Sequence, residues 1–276
     1  MEGSPSTITA TLLPGAGKLL EAHARELPQR DDLCGAFCGA LALHAAGLER
    51  DGDGPLDQDT IALAAGSLVS AEADPGILPA GESGRRDYRL ELPRIADGAR
   101  SGTTAAGVVR GIEVVSGGSV CAIPLAGPWT VATLAGAYEL ALEQRGPTAL
   151  LANHATHHLW GSHPSAEQLL AHLLRGAAEG PAPDWDVGHF ACIVGRVEGP
   201  AGVLYVVADT YPALGSRGLH LQPAAQLAAA IAREDKPAGG VIAVVAAESA
   251  DAFRAGARDL GLHEELWDNG TPEAQV

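Results

Sequence analysis

HFACIVGRVEGPAGVLYVVADTY, residues 189–211, contains two apolar, β-branched runs, HFACIVGRV and VLYVVADTY, separated by the turn-forming EGPAG. Such a pair predicts an antiparallel hairpin. In a hairpin the start of the first strand lies beside the end of the second, so His189 and Asp209 meet at one sheet edge. A histidine that moves a proton and a carboxylate that orients it make up part of a nucleophilic-catalysis set. The remaining part is a nucleophile from elsewhere in the chain.

Upstream, DDLCGAFCGALALHAAG (31–47) supplies two cysteines four residues apart. The stretch predicts a helix over roughly 34–46 that stops at Gly47, with Asp31 and Asp32 as N-cap and first-turn acids. Cys34 then meets the positive end of the helix dipole, where backbone N–H groups favour thiolate over thiol. Cys38 lies one turn deeper on the same face, where apolar neighbours raise a thiol's pKa. The plain reading of both is a small packing residue; the functional reading selects Cys34.

The rest of the chain reads as helices over 17–28, 61–71, 103–115, 131–146, 164–176, 224–235 and 250–261, with strands over 120–125, 148–156 and 239–247. Between them, residues 73–102 are rich in Gly, Pro and charge and predict a long surface excursion. Neither a repeat nor a linker interrupts the pattern. One α+β domain over 1–276 follows. The turn-rich DGDGPLDQDT (51–60) lacks the final glutamate of an EF-hand, and NHATHHLWGSHP (153–164) lacks the glutamate of a zinc HExxH, so no metal is expected. No cofactor is called for either.

The formal charge is −16 and the pI is near 4.9, with no Lys/Arg-rich run. Nucleic acid and anionic membrane are therefore not expected partners. The start has no cationic and apolar signal pattern, and no stretch approaches the length of a membrane span. Four cysteines without CxxC spacing argue against a disulfide framework. Together these predict a cytoplasmic protein.

A helix bearing Cys, a strand opening on His and a partner strand ending in Asp resemble a papain-like arrangement. QRDDLCGAFCGALAL and GHFACIVGRVEGPAGVLYVVADTYPALG resemble the bacteriocin-processing peptidases that remove double-glycine leaders, a papain-like group with Gln, Cys, His and Asp in this order. The resemblance implies a papain-like core with an N-terminal helical part and a C-terminal antiparallel sheet and, because Cys34 and His189 stand farther apart than in compact peptidases of that group, an inserted region at about 50–150. Its site would be Gln29 as oxyanion donor, Cys34 as nucleophile, and His189 and Asp209. The segments DWDVGHF (184–190), DTYPALGSRGLHLQP (209–223) and LWDNGT (266–271) resemble an uncharacterised actinobacterial family. Some members of that family are associated with antibiotic biosynthesis, including aziridine formation of the azinomycin type.

The expected activity is that of a thiol-dependent hydrolase or acyl transferase acting on a peptide or amide-type substrate. Asp32, Trp185, Tyr211, His220 and Gln222 are the expected substrate contacts, since Gly- and Pro-shaped loops on a rigid scaffold often line pockets. Two alternatives stand beside it. One is ring closure by intramolecular amine substitution with loss of sulfate; the other is a catalytically inactive papain-like binding module. A small partner protein or carrier protein is compatible with these readings.

Overall fold

The computed structural model describes residues 7–52, 54–233 and 239–272. The chain is α+β. In order its main elements are β1 (Thr9–Leu12), α1 (Ala16–Glu26), α2 (Cys34–Ala45), α3 (Gln58–Ala65) and α4 (Ala105–Ser116). Then follow β2 (Val120–Ala126), α5 (Val131–Leu142), β3 (Ala149–Ala155), α6 (Ala166–Arg175), β4 (Gly188–Glu198) and β5 (Val203–Ala208). The chain continues through β6 (Leu219–Pro223), α7 (Ala224–Ala232), β7 (Gly240–Ala246), α8 (Ala250–Asp259) and β8 (His263–Glu264).

These eight strands form one antiparallel sheet, seven of them in the order β6-β5-β4-β3-β7-β2-β8. Strand β1 pairs with the far end of β4, Leu12 opposite Gly195. The β4–β5 hairpin expected from the sequence is present, with Cys192 opposite Ala208.

The central strands are buried on both faces, so they read as continuous apolar runs rather than alternating ones. One core packs α1 to α4 against Ala122, Leu151, Phe190, Cys192 and Ile242. The other packs α5, α7 and α8 against Ile123, Leu150, Ile193, Tyr205 and Ala243. Helix α2 runs through the first core, and every residue from Gly35 to Ala45 is buried. A helix that is apolar all round belongs in an interior, and this one carries Cys34 to the inner edge of the sheet.

Local chemistry accounts for several boundaries. Asp57 caps α3 by accepting from the Thr60 N–H, and Gly66 ends it in the left-handed conformation. The helix expected over 61–71 is therefore cut at Ala65; Val69–Ser70 instead pair in parallel with Arg94–Ile95. Helix α5 ends at Leu142, short of Gly146. Helix α7 ends at Ala232; residues 234 and 235, also expected in it, lie outside the described residues. Among the described residues of the span 50–150 expected as an insertion, residues 71–102 form a long excursion. Helices α3 and α4 pack in the first core, and β2, α5 and β3 belong to the central sheet and its second core.

Candidate active site

Cys34 is the first residue of α2, after Leu33, and no side chain caps this helix start. The expected capping by Asp31 and Asp32 does not occur, because both carboxylates are captured by distant backbone and hydroxyl donors. Asp31 Oδ1 accepts from the Arg85 N–H at 2.8 Å. Asp32 Oδ2 accepts from the Ser70 N–H at 2.8 Å, and its Oδ1 from Ser101 Oγ at 2.6 Å. Asp32 sits at φ 67°, a left-handed backbone that turns the chain into the helix. The first-turn N–H groups of α2 are thereby left without a side-chain partner beside a thiol.

His189 is the second residue of β4 and Asp209 follows the last residue of β5, so the hairpin brings them together as its strand pairing requires. His189 Nε2 donates to Asp209 Oδ1 at 2.9 Å, and both residues are buried, at 2% and 1% exposure. Cys34 lines the same cavity as this imidazole and acts on it electrostatically. Burial pulls the His189 pKa down, yet the Asp209 charge, its hydrogen bond and the Cys34 thiol outweigh it, and the value is pushed up to about 10. Burial likewise opposes the Asp209 charge, but His189 and His220 hold its carboxyl well below the usual range.

Trp185 lies edge-on to the His189 ring with centroids 4.8 Å apart, and Tyr211 meets Trp185 at 5.7 Å. Aromatic faces here exclude water from the imidazole and strengthen its bond to the carboxylate. Gln29 is buried, at 4% exposure, and its N–H donates to the Thr210 carbonyl at 2.9 Å. That bond ties the segment before α2 to the residue after Asp209. Gln29, Cys34, Trp185, His189 and Tyr211 all line one cavity of about 300 Å³. Asp32 also lines it, but both of its oxygens are engaged by protein donors.

Two expected substrate contacts sit elsewhere. His220 and Gln222 lie on β6, a strand where a loop was expected, behind Asp209 and away from this cavity. His220 Nε2 donates to Asp209 Oδ2 at 3.1 Å. The Gln222 amide is clamped by the Trp160 backbone, accepting from its N–H at 2.8 Å and donating to its carbonyl at 2.9 Å, and it also contacts His220 Nδ1 at 3.1 Å. Cys38 is fully buried, and burial first, then neighbouring Cys192, pushes its thiol up. Cys34, half-buried on the cavity wall, is the accessible one of the pair.

The sequence reading missed His23 on α1, whose Nε2 donates to the Asp209 carbonyl at 2.6 Å. Its signal was a histidine on the buried stripe with Leu19 and Ala22, a position that demands a polar partner. The histidine-rich stretch diverges. His154 packs edge-on against His189 at 5.7 Å, and burial chiefly, then the His189 charge, pulls it down to about 3. His163 Nε2 donates to the Ala213 carbonyl at 2.9 Å. Among the described residues no group of three or more His, Cys, Asp or Glu has a metal-binding arrangement. Likewise, none of their helices is long and apolar enough to cross a membrane.

No curated protein matches the sequence. A family model described as "Family of unknown function (DUF6885)" matches residues 13–268, nearly the whole chain, and the protein belongs to that family.

Proposed function

We propose that the protein is a thiol-dependent hydrolase or acyl transferase of papain-like design acting on a peptide or amide-type substrate. One observation carries the reading: a buried His189 that is bonded to Asp209 and shares one cavity with Cys34 at a helix start. Because Nε2 is taken by Asp209, Nδ1 is the ring nitrogen left for the thiol.

In the proposed reaction His189 already holds the proton given up by Cys34, and the thiolate attacks an acyl carbon. The Cys34 N–H and Gln29 bind the resulting oxyanion. His189 returns the proton to the leaving group as the carbon–heteroatom bond breaks, leaving a thioester on Cys34. Water or an amine, deprotonated by His189, then takes the acyl group and regenerates the thiol. Asp209 holds the imidazole in one orientation and stabilises its charged form throughout.

Alkylation of the purified protein tests this directly. Iodoacetamide should modify Cys34 rapidly near neutral pH and leave Cys38 and Cys192 untouched, as read by peptide mapping, and Asp209→Ala should slow the reaction. An inert Cys34 would refute the thiol reading and favour the non-hydrolytic and binding alternatives, neither of which needs a reactive cysteine.

A further inference from the structure

Residues 71–102 are tied to both walls of the cavity. On the helical side the Arg85 N–H donates to Asp31 Oδ1 at 2.8 Å, and the Arg85 carbonyl accepts from the Asp31 N–H at 2.9 Å. Ser101 Oγ donates to Asp32 Oδ1 at 2.6 Å, and Arg89 forks onto Asp57, the cap of α3, at 2.8 and 2.9 Å. On the sheet side Trp185 Nε1 donates to the Ile77 carbonyl at 2.9 Å, and the Ala213 N–H donates to Glu82 Oε1 at 2.6 Å. This segment is therefore a strap between the wall that carries Cys34 and the wall that carries His189. It also supplies roughly half of the cavity lining, including Ile77, Leu78 and Arg86.

We propose that this strap restricts the site to compact acyl substrates, either small amides and esters or the terminal residue of a chain, and excludes bonds inside a polypeptide. This rests on Cys34 being the nucleophile proposed above. Extended chain advances about 3.3 Å per residue, so nine residues need a channel of roughly 30 Å that is open at both ends. A strap fastened to both walls closes one of those ends. The cavity's 300 Å³ is the size of a small-molecule pocket rather than of a peptide groove. The acids at this end are part of the closure, since Asp31 Oδ1 and Asp32 Oδ1 hold the strap through Arg85 and Ser101.

The test compares two alkylating probes on the full chain, with modification read at Cys34 by peptide mapping. One probe is iodoacetamide; the other is the same haloacetamide carried on the central lysine of a nonapeptide. Each rate is divided by that probe's rate with glutathione. The nonapeptide probe should label Cys34 about tenfold or more slowly than iodoacetamide. Glu82→Ala, which releases a sheet-side anchor of the strap, should narrow the gap. Matched rates on the unaltered protein, or a gap that Glu82→Ala leaves unchanged, would overturn the proposal. If neither probe labels Cys34, the thiol reading itself fails and this one falls with it, whereas a reactive Cys34 without size discrimination refutes only the strap's role.

Discussion

His220 donates to the one oxygen of Asp209 that His189 leaves free, at 3.1 Å, so a single buried carboxylate is held between two imidazoles. The state of the second imidazole is set by Gln222. The Trp160 N–H and carbonyl fix which end of that amide is the donor, so Gln222 Nε2 must donate to His220 Nδ1. His220 Nδ1 then carries the lone pair, and its proton sits on Nε2, aimed at Asp209. Groups that face this pair are Asp209, His189, His154 and the Asp209-bound His23. Gln222→Met would remove that donor and free the His220 ring to turn away from Asp209. Cys34 alkylation, read by peptide mapping, should then slow, and an unchanged rate would show that His220 does not hold the carboxylate in place.

Asp209 is the main cause that raises the His189 pKa against the opposing cost of burial. His189 should remain protonated up to about pH 10 while Asp209 is intact. A step that uses imidazolium as general acid should therefore persist to alkaline pH and fall as pH passes that value. Asp209→Asn keeps the size and a hydrogen bond but removes the charge. Its alkaline limb should shift toward the ordinary histidine value near 6.5. A limb that stays in place would show that Asp209 does not govern the imidazole.

The hairpin that joins His189 to Asp209 was legible because period, turn chemistry and β-branched residues all agree over 189–211. Helix α2 was legible for the same reason, its apolar run ending at Gly47. What local patterning does not encode is which distant donor captures a side chain. Asp31 and Asp32 have the spacing of caps, yet Arg85, Ser70 and Ser101 reach them first from 38 to 69 residues away for Asp32 and 54 for Asp31. Strand β6 escaped notice because Gly215, Gly218 and Pro223 punctuate it as a loop, and only its pairing with β5 makes it a strand. That misreading also moved His220 and Gln222 from behind the carboxylate to the substrate side. His23 was hidden by a similar limit, since its partner is a backbone carbonyl 186 residues away.

The same charges bear on stability. The His189 pKa is raised on folding, so its contribution is full below the unfolded value near 6.5 and is lost as pH rises toward about 10. Asp209 is lowered on folding, so its contribution is present above about 3.9 and is lost as pH falls through its native value. His154, pulled down to about 3, acts oppositely to His189: folding is disfavoured by its neutral burial as pH falls below about 6.5. Thermal unfolding followed from pH 3 to 10 should show a maximum on the mildly acidic to neutral side. In Asp209→Asn the decline between pH 7 and 10 should flatten, and an unchanged decline would assign it to other groups.

Each cysteine of α2 is followed by glycine because the helix lies too close to its neighbours for a side chain there. A Cβ on Gly35 would come within 2.8 Å of Val108 on α4 and 3.3 Å of Phe190 on β4, and one on Gly39 would lie 3.0 Å from Ile61 on α3. Contacts shorter than van der Waals distance force off-rotamer shifts, and such overpacking typically costs about 1–3 kcal/mol. Gly35→Ala should outweigh the small propensity gain of alanine in a helix, about 1 kcal/mol, because Phe190 also follows His189 in the strand. The variant should unfold at lower urea concentration and also alkylate Cys34 more slowly, as α2 is displaced from the sheet edge. Gly39→Ala should lose stability while changing Cys34 reactivity less, since it lies one turn further from His189. Equal effects on reactivity from both variants would mean that helix placement, rather than the Cys34–His189 contact, limits the thiol.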